Sequence, residues 1–243
     1  MKTTKRIISA IAFIFLSMVI GITVSVAQAS RIWGPYYGGT GTESWPNATA
    51  VDASGNVILV GTTNSATLIA TAGAHNTTVA GGGGTSGYIV KFNSAGVRQW
   101  GTYYTGEVLS YTNIYDVKTD AAGNIYIAGS TNSNSPGNEI STAGAYQTSF
   151  LGWENAFVAK FNSGGVRQWA TYYGTAQVSA AQAALTGAGS GWTEGVSVAI
   201  DASGNVYLAG VTKANDGTAG MTTAGAHQTV YGGGDMDAYI VKF

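Results

Sequence analysis

The chain of 243 residues contains no cysteine. A disulfide framework is therefore excluded, so stability has to come from backbone pairing and packing, and a lipid-modified N-terminal cysteine is excluded with it. Charge is scarce too: 9% of the residues are Asp, Glu, Lys or Arg, against about 25% in a typical soluble domain. Basic clusters are missing, and with them the electrostatic footprint that a nucleic-acid partner requires. Helical periodicity is missing from everything after residue 29. Glycine is what the chain has in quantity, 36 residues, and together with Thr, Ser and Asn it supplies turns and solubility in place of charge.

The first 29 residues stand apart. Lys2, Lys5 and Arg6 precede an apolar run from Ile7 to Val26, and Ala27-Gln28-Ala29 offers small residues at the positions a signal peptidase reads. This pattern predicts a signal peptide over 1–29, a mature chain starting at Ser30, and a secreted or cell-surface location. The run is also long enough to span a bilayer; the cleavage site decides for removal, which leaves no membrane association. Without the leader, eight basic residues face twelve acidic ones, a net charge of −4. About 214 residues remain, enough for one sizeable core.

One paragraph of sequence is then written three times. VDASGNVILVGTT (51–63), TDAAGNIYIAGST (119–131) and IDASGNVYLAGVT (200–212) are each followed by TAGA, a Gly-rich stretch and an aromatic run ending in Lys-Phe. Repetition at such a period means one structural unit stacked on copies of itself. Each unit reads as four strands. Asp at the first position and Gly at the fourth of D-A-[SA]-G-N predict a type I turn closing a G1-bulge hairpin at 52–56, 120–124 and 201–205. Gly55, Gly123 and Gly204 are expected at positive φ. N-S-[AG]-G predicts a second hairpin at 93–96 and 162–165, and the flanking β-branched and aromatic runs suit paired strands buried on both faces.

The connections are unequal. Turns inside the hairpins are short, whereas Gly61 to Gly87 and its equivalents are long, and Tyr173 to Asp201 spans 28 positions where Tyr104 to Asp120 spans 16. The extra segment is roughly 177–193. In an up-and-down sheet both kinds of long connection emerge on one edge, which makes that face the expected binding face.

Taken together, W-x-T-Y-Y-G, D-x-x-G-N-[VI]-Y-[LI]-A-G-x-T, T-x-G-A-[YH]-Q and [AG]-[YF]-[IV]-x-K-F-N resemble the SBBP repeat, a bacterial β-propeller repeat. The resemblance covers essentially 31–243 and recurs three times, with His75-Asn76 standing where repeat 2 has Tyr146-Gln147. It implies an all-β fold of β-propeller blades, each a four-stranded antiparallel sheet, in an exported protein, and it brings no shared catalytic residues. The blades are expected over 48–106 and 113–175, with the first three strands of a third over 194–243.

Residues 31–39 align with the fourth strands Arg98–Tyr104 and Arg167–Tyr173, and so read as a lone fourth strand. Arg31–Gly38 is expected to pair with Ala238–Phe243, within one chain or between two, because both would otherwise leave backbone groups unpaired. Three blades are fewer than the four to eight of closed rings. The sequence is therefore expected to be an incomplete ring from a longer chain with further blades, a half-ring that oligomerises as a head-to-tail homodimer, or a local, irregular packing of blades.

For chemistry, the D-A-S-G-N loops place oxygens in the manner of a calcium loop, but Ala122 removes one ligand and each loop has one carboxylate, so no metal and no cofactor are expected. His75 and His227 share a position with Tyr146, which asks for a ring with a polar tip. Lys91, Lys160 and Lys242, Arg31, Arg98 and Arg167, and Trp33, Trp100 and Trp169 are identical in every repeat, which points to scaffold roles. Gly81–Gly84 lacks the strand–loop–helix order of a phosphate loop. Function is expected where repeats disagree: Trp153, Glu154, Asn155, Trp192, Glu194, Asp235 and Asp237 are the candidate ligand-binding residues, for an extracellular protein or a carbohydrate. The expected role is a non-enzymatic binding or surface-structural module. An enzyme with its active site in the central funnel, or a structural spacer, are the alternatives.

Overall fold

The structure, a computed structural model, describes residues 30–41, 44–106, 109–134, 139–176, 191–213, 221–232 and 234–243. The leader and most of the 177–193 insertion lie outside the described residues. The chain divides into two units, 1–34 and 35–243. In the first, the described residues 30–34 carry no strand.

The second unit is built from eleven strands: β1 Ser44–Val51, β2 Val57–Thr63, β3 Ser86–Phe92, β4 Arg98–Tyr104, β5 Thr112–Thr119, β6 Ile125–Thr131, β7 Asn155–Phe161, β8 Arg167–Tyr173, β9 Thr193–Ile200, β10 Val206–Thr212 and β11 Asp237–Lys242. They form three antiparallel sheets in sequence order, β1–β4, β5–β8 and β9–β11. These are the blades of the expected all-β architecture, with no helix among the described residues.

The turn chemistry is the expected one. Gly55 N–H donates to the Asp52 carbonyl at 2.9 Å, and Asp52 Oδ1 accepts the amides of Ser54 and Asn56 at 2.9 Å each. Gly55, Gly123 and Gly204 have φ of 75°, 77° and 83°. A second glycine is required for closeness. The first strand of each blade carries an irregularity near its start, which presses its backbone on the second strand. A Cβ on Gly61, Gly129 or Gly210 would lie 1.9, 1.9 or 1.8 Å from the carbonyl of Trp45, Asn113 or Glu194. Only glycine fits there.

The first strands lie side by side: Asn47 Nδ2 donates to the Ile114 carbonyl at 2.7 Å, and Asp116 Oδ2 accepts Ser197 Oγ at 2.9 Å and the Val198 amide at 3.0 Å. Blades are joined further out by a repeated aromatic contact. The last tyrosine of each W-x-x-Y-Y motif stacks on the third strand of the following blade: Tyr37 on Tyr88 and Phe92, Tyr104 on Phe157 and Phe161, Tyr173 on Tyr239 and Phe243, at 5.0 to 6.0 Å. Its hydroxyl donates to a loop carbonyl of that blade, Ile69 at 2.8 Å, Ile140 at 2.5 Å and Met221 at 2.7 Å. Each such hydrogen bond contributes about 1 kcal/mol beyond the area buried.

One expectation fails within the single chain. Residues 31–39 form no strand, and β11 has β10 as its one strand neighbour among the described residues. Tyr37 explains this: it is held on blade 1, as the tyrosine of a preceding blade would be, and blade 2 separates it from β11.

Candidate functional site

The short-turn edge of the blades is occupied by scaffold. In blade 1, Lys91 and Asp52 form a buried ion pair at 2.9 Å, and Lys91 Nζ also reaches the Ser163 carbonyl of blade 2 at 3.3 Å. Burial raises the Asp52 carboxyl, but hydrogen bonds from Asn56 and Lys91 and from the turn amides outweigh it and hold it at about 2. Blades 2 and 3 solve the same site differently. Tyr126 and Tyr207 donate their hydroxyls to Asp120 and Asp201 at 3.0 and 2.9 Å, and Lys160 and Lys242 lie over those rings at 5.0 and 5.4 Å. Blade 1 has Ile58 in place of the tyrosine, opposite Lys91 in the ladder, so its lysine takes the carboxylate directly.

Trp100 is scaffold as well, donating from Nε1 to the Ser163 carbonyl at 3.1 Å. His75 packs edge-on to Phe161 at 5.6 Å and tilted to Tyr104 at 6.0 Å, and Tyr146 meets Phe243 edge-on at 5.8 Å. The shared position serves as a ring between blades. Burial, and then the Arg167 guanidinium, push the His75 imidazole down to about 4. It lines a cleft of about 400 Å³ with Trp100, Gly165 and Arg167.

Between blades 2 and 3 the picture changes. Glu154 and Trp192 meet in a parallel bridge, and the Thr193 amide donates to the Glu154 carbonyl at 2.9 Å. Trp192 Nε1 donates to Glu154 Oε2 at 2.6 Å, Ser130 Oγ donates to Oε1 at 2.5 Å, and Lys213 lies over the indole at 5.5 Å. Burial, and then the charge on Glu154, raise the Glu194 carboxyl; Tyr115 beside them is raised by burial too. The repeat-equivalents of Glu154 and Trp192 in the preceding blade pair, Thr85 and Tyr111, form the same parallel bridge. This is the joint between neighbouring blades, and at the 2–3 joint it carries two carboxylates, a lysine and two tryptophans.

Residues 99–135 match SBBP, the beta-propeller repeat. The match runs from β4 of blade 1 through the following connection, β5 and β6, and ends four residues after β6. No curated protein matches the chain.

Of the seven residues singled out from the SBBP-like repeats, Glu154, Trp192 and Glu194 come together at this joint, and Trp153 stands beside them with its side chain exposed, its amide donating to the Gly191 carbonyl at 3.2 Å. Asn155 is fully buried: its Oδ1 accepts the Leu151 amide at 2.7 Å and its Nδ2 donates to the Leu151 carbonyl. Asp237 Oδ2 accepts the Gly232 amide, and Ser86 Oγ accepts the Ala80 amide at 2.8 Å. The position thus closes the loop before the third strand in every blade. Asp235 is exposed on blade 3, with its charge acting on Tyr231. Sequence reasoning missed Tyr111 and Trp45, which are 51% and 58% exposed at the starts of β5 and β1. The signal was present, because they align with Trp192 and Glu194.

Proposed function

We propose that this propeller module is exported and binds a carbohydrate chain on its long-loop edge, without catalysing a reaction. The observation that carries this reading is where the exposed aromatics lie. Trp45, Tyr111 and Trp153 are all about half exposed or more, and all stand at the long-loop ends of the first or third strands. Flat aromatic faces beside oxygen acceptors suit sugar rings, which offer an apolar face for stacking and hydroxyls for hydrogen bonds. Glu194 supplies an acceptor, and Lys213 and Asn113 supply donors.

The same acids support binding over catalysis. Glu154 is engaged by Trp192 and Ser130 on its two oxygens, and Asp116 is engaged by Ser197, Val198 and Lys118. Groups so committed hold shape. The leader predicted from Lys2 to Ala29 supports export, and an extracellular glycan or polysaccharide is the ligand class that such a location offers.

Titration of the purified protein with soluble polysaccharides and oligosaccharides, read by tryptophan fluorescence and calorimetry, tests the reading. Saturable binding that Trp153→Ala weakens at least tenfold, with unchanged thermal stability, supports it. Binding to proteinaceous ligands alone, or turnover of any glycan, overturns it.

A further inference from the structure

The long-loop ends of the three sheets are stitched into one ladder. Within blade 2 the Asn132 amide donates to the Tyr111 carbonyl at 3.1 Å, and within blade 3 the Lys213 amide donates to the Trp192 carbonyl at 2.9 Å. Asn132 and Glu154 lie one position beyond the Thr131–Asn155 pair, so they too are side by side. Between blades the parallel bridges Thr85–Tyr111 and Glu154–Trp192 continue the line. Across them the Thr112 amide donates to the Thr85 carbonyl and the Thr193 amide to the Glu154 carbonyl, each at 2.9 Å. One row thus crosses all three blades: Thr85, Tyr111, Asn132, Glu154, Trp192 and Lys213.

Lateral neighbours in a ladder present their side chains on the same face. Here that face is open. Tyr111 and Asn132 are exposed and the other four are half-buried, while Ser86, Thr112, Asn155 and Thr193, one step further into their strands, have no exposure. The exposed Trp153 stands beside Glu154. Each step along the row is one strand spacing, which puts Tyr111 about 10 Å from Glu154 and about 14 Å from Trp192, in a row about 24 Å long.

Such a row suits a chain better than a single sugar. A site for one terminal sugar gathers its polar groups around a concave pocket, whereas these groups stand in line. Backbone hydrogen bonds fix their spacing, so the row is preorganised along one direction. Tyr111 and Trp153 offer ring faces, Asn132 offers an amide, and Lys213, over the Trp192 indole at 5.5 Å, ends the row with a donor. The one acid in the row is already committed, since Glu154 accepts Trp192 Nε1 and Ser130 Oγ. A glycan joined through equatorial bonds is straight, and each pyranose ring advances it by about one strand spacing. A glycan with axial linkages coils, and leaves a straight row after a few rings.

We propose, resting on the carbohydrate reading above, that the ligand is a straight, equatorially linked glycan that lies along this row, with about six rings crossing the three blades. A disaccharide held at Trp153 stops short of Tyr111. A hexasaccharide reaches it.

Calorimetric titration of the full chain tests this, with cello- and chito-oligosaccharides of two to eight units as the straight probes and malto-oligosaccharides of the same lengths as the coiled ones. In a straight series the affinity is expected to rise at least about tenfold from two units to six, through the added stacking contacts, and then to level off. The coiled series is expected to bind more weakly at six units and to gain little with length. Tyr111→Ala is expected to weaken the hexasaccharide about fivefold and to leave the disaccharide unchanged, at unaltered thermal stability, and Tyr111→Trp is expected to restore the dependence on length. The length series itself needs no variant. Equal affinity for two and six units, tighter binding of the coiled series, binding confined to glycans outside the straight series, or a Tyr111→Ala effect equal at both lengths overturns the row and leaves the carbohydrate reading standing. No binding of any glycan overturns both.

Discussion

Blades 2 and 3 have nearly the same third strand, AFVAKF and AYIVKF, and opposite surroundings. In β7 every residue but Lys160 is buried; in β11 burial alternates, with Ala238, Ile240 and Lys242 exposed. Residue type does not account for this. β7 has a sheet on both faces and β8 at its side, and β11 has blade 2 on one face and β10 at one side. In a repeat protein burial is a property of neighbours, and each blade is stabilised chiefly by the interfaces it shares.

The largest test of that comparison uses the close glycines. Gly129→Ala and Gly210→Ala place a Cβ into nearly the same contact, 1.9 Å from the Asn113 carbonyl and 1.8 Å from that of Glu194. Blade 2 is packed on both faces and cannot give way, so Gly129→Ala is expected to cost about 3 kcal/mol. Blade 3 has an open face, and Gly210→Ala is expected to cost clearly less. Urea unfolding of both variants checks the order; equal costs would mean that the two blades are equally confined.

Next in size is a pair of polar substitutions at one ladder position. Val158→Ser removes an apolar group from a site with no exposure and leaves a hydroxyl there, for about 2 kcal/mol. Ile240→Ser is expected to change the stability of a single chain by less than about 0.5 kcal/mol. Urea unfolding of both variants reads the difference.

A third comparison concerns the inter-blade tyrosines. Tyr104→Phe leaves the Ile140 carbonyl without its donor in a buried joint, and is expected to cost about 1–2 kcal/mol. Tyr37→Phe removes the same bond at the part-buried joint on blade 1 and is expected to cost about half as much. Thermal unfolding reads both.

Much of this was legible in the sequence, because the repeats state the local rules three times. The D-A-[SA]-G-N and N-S-[AG]-G hairpins, their positive-φ glycines and the four-strand blade follow from turn chemistry and alternation. What was not legible is which residue meets which across blades. Lys91, Lys160 and Lys242 are identical in all repeats yet hold different partners, because Ile58 replaces a tyrosine in blade 1. Ser86, Asn155 and Asp237 differ in every repeat yet do one job, accepting an amide of the preceding loop. Variation between repeats therefore marked an exposed aromatic at Trp153 but a loop clamp at Asn155. Only the oxygen common to all three side chains told them apart.

The smallest expected effect is a pH dependence set by the histidine buried between blades 1 and 2. His75 lies in the cleft between blades 1 and 2, where burial and Arg167 hold its pKa at about 4. An unfolded histidine titrates near 6.5. Between about 4 and 6.5 the unfolded chain therefore binds more protons at residue 75 than the folded chain does, and stability rises with pH across that window. Acidifying from neutrality thus weakens blades 1 and 2 first. Below about 4 the turn carboxylates add a second loss, since Asp52 and Asp201 are held at about 2 and Asp120 is held low by the same kind of contacts. Unfolding midpoints measured from pH 7 to 4 should fall, and His75→Gln should flatten the upper part of that slope. A slope that His75→Gln leaves unchanged would mean that the ring does not sit buried beside Arg167 in the cleft between blades 1 and 2.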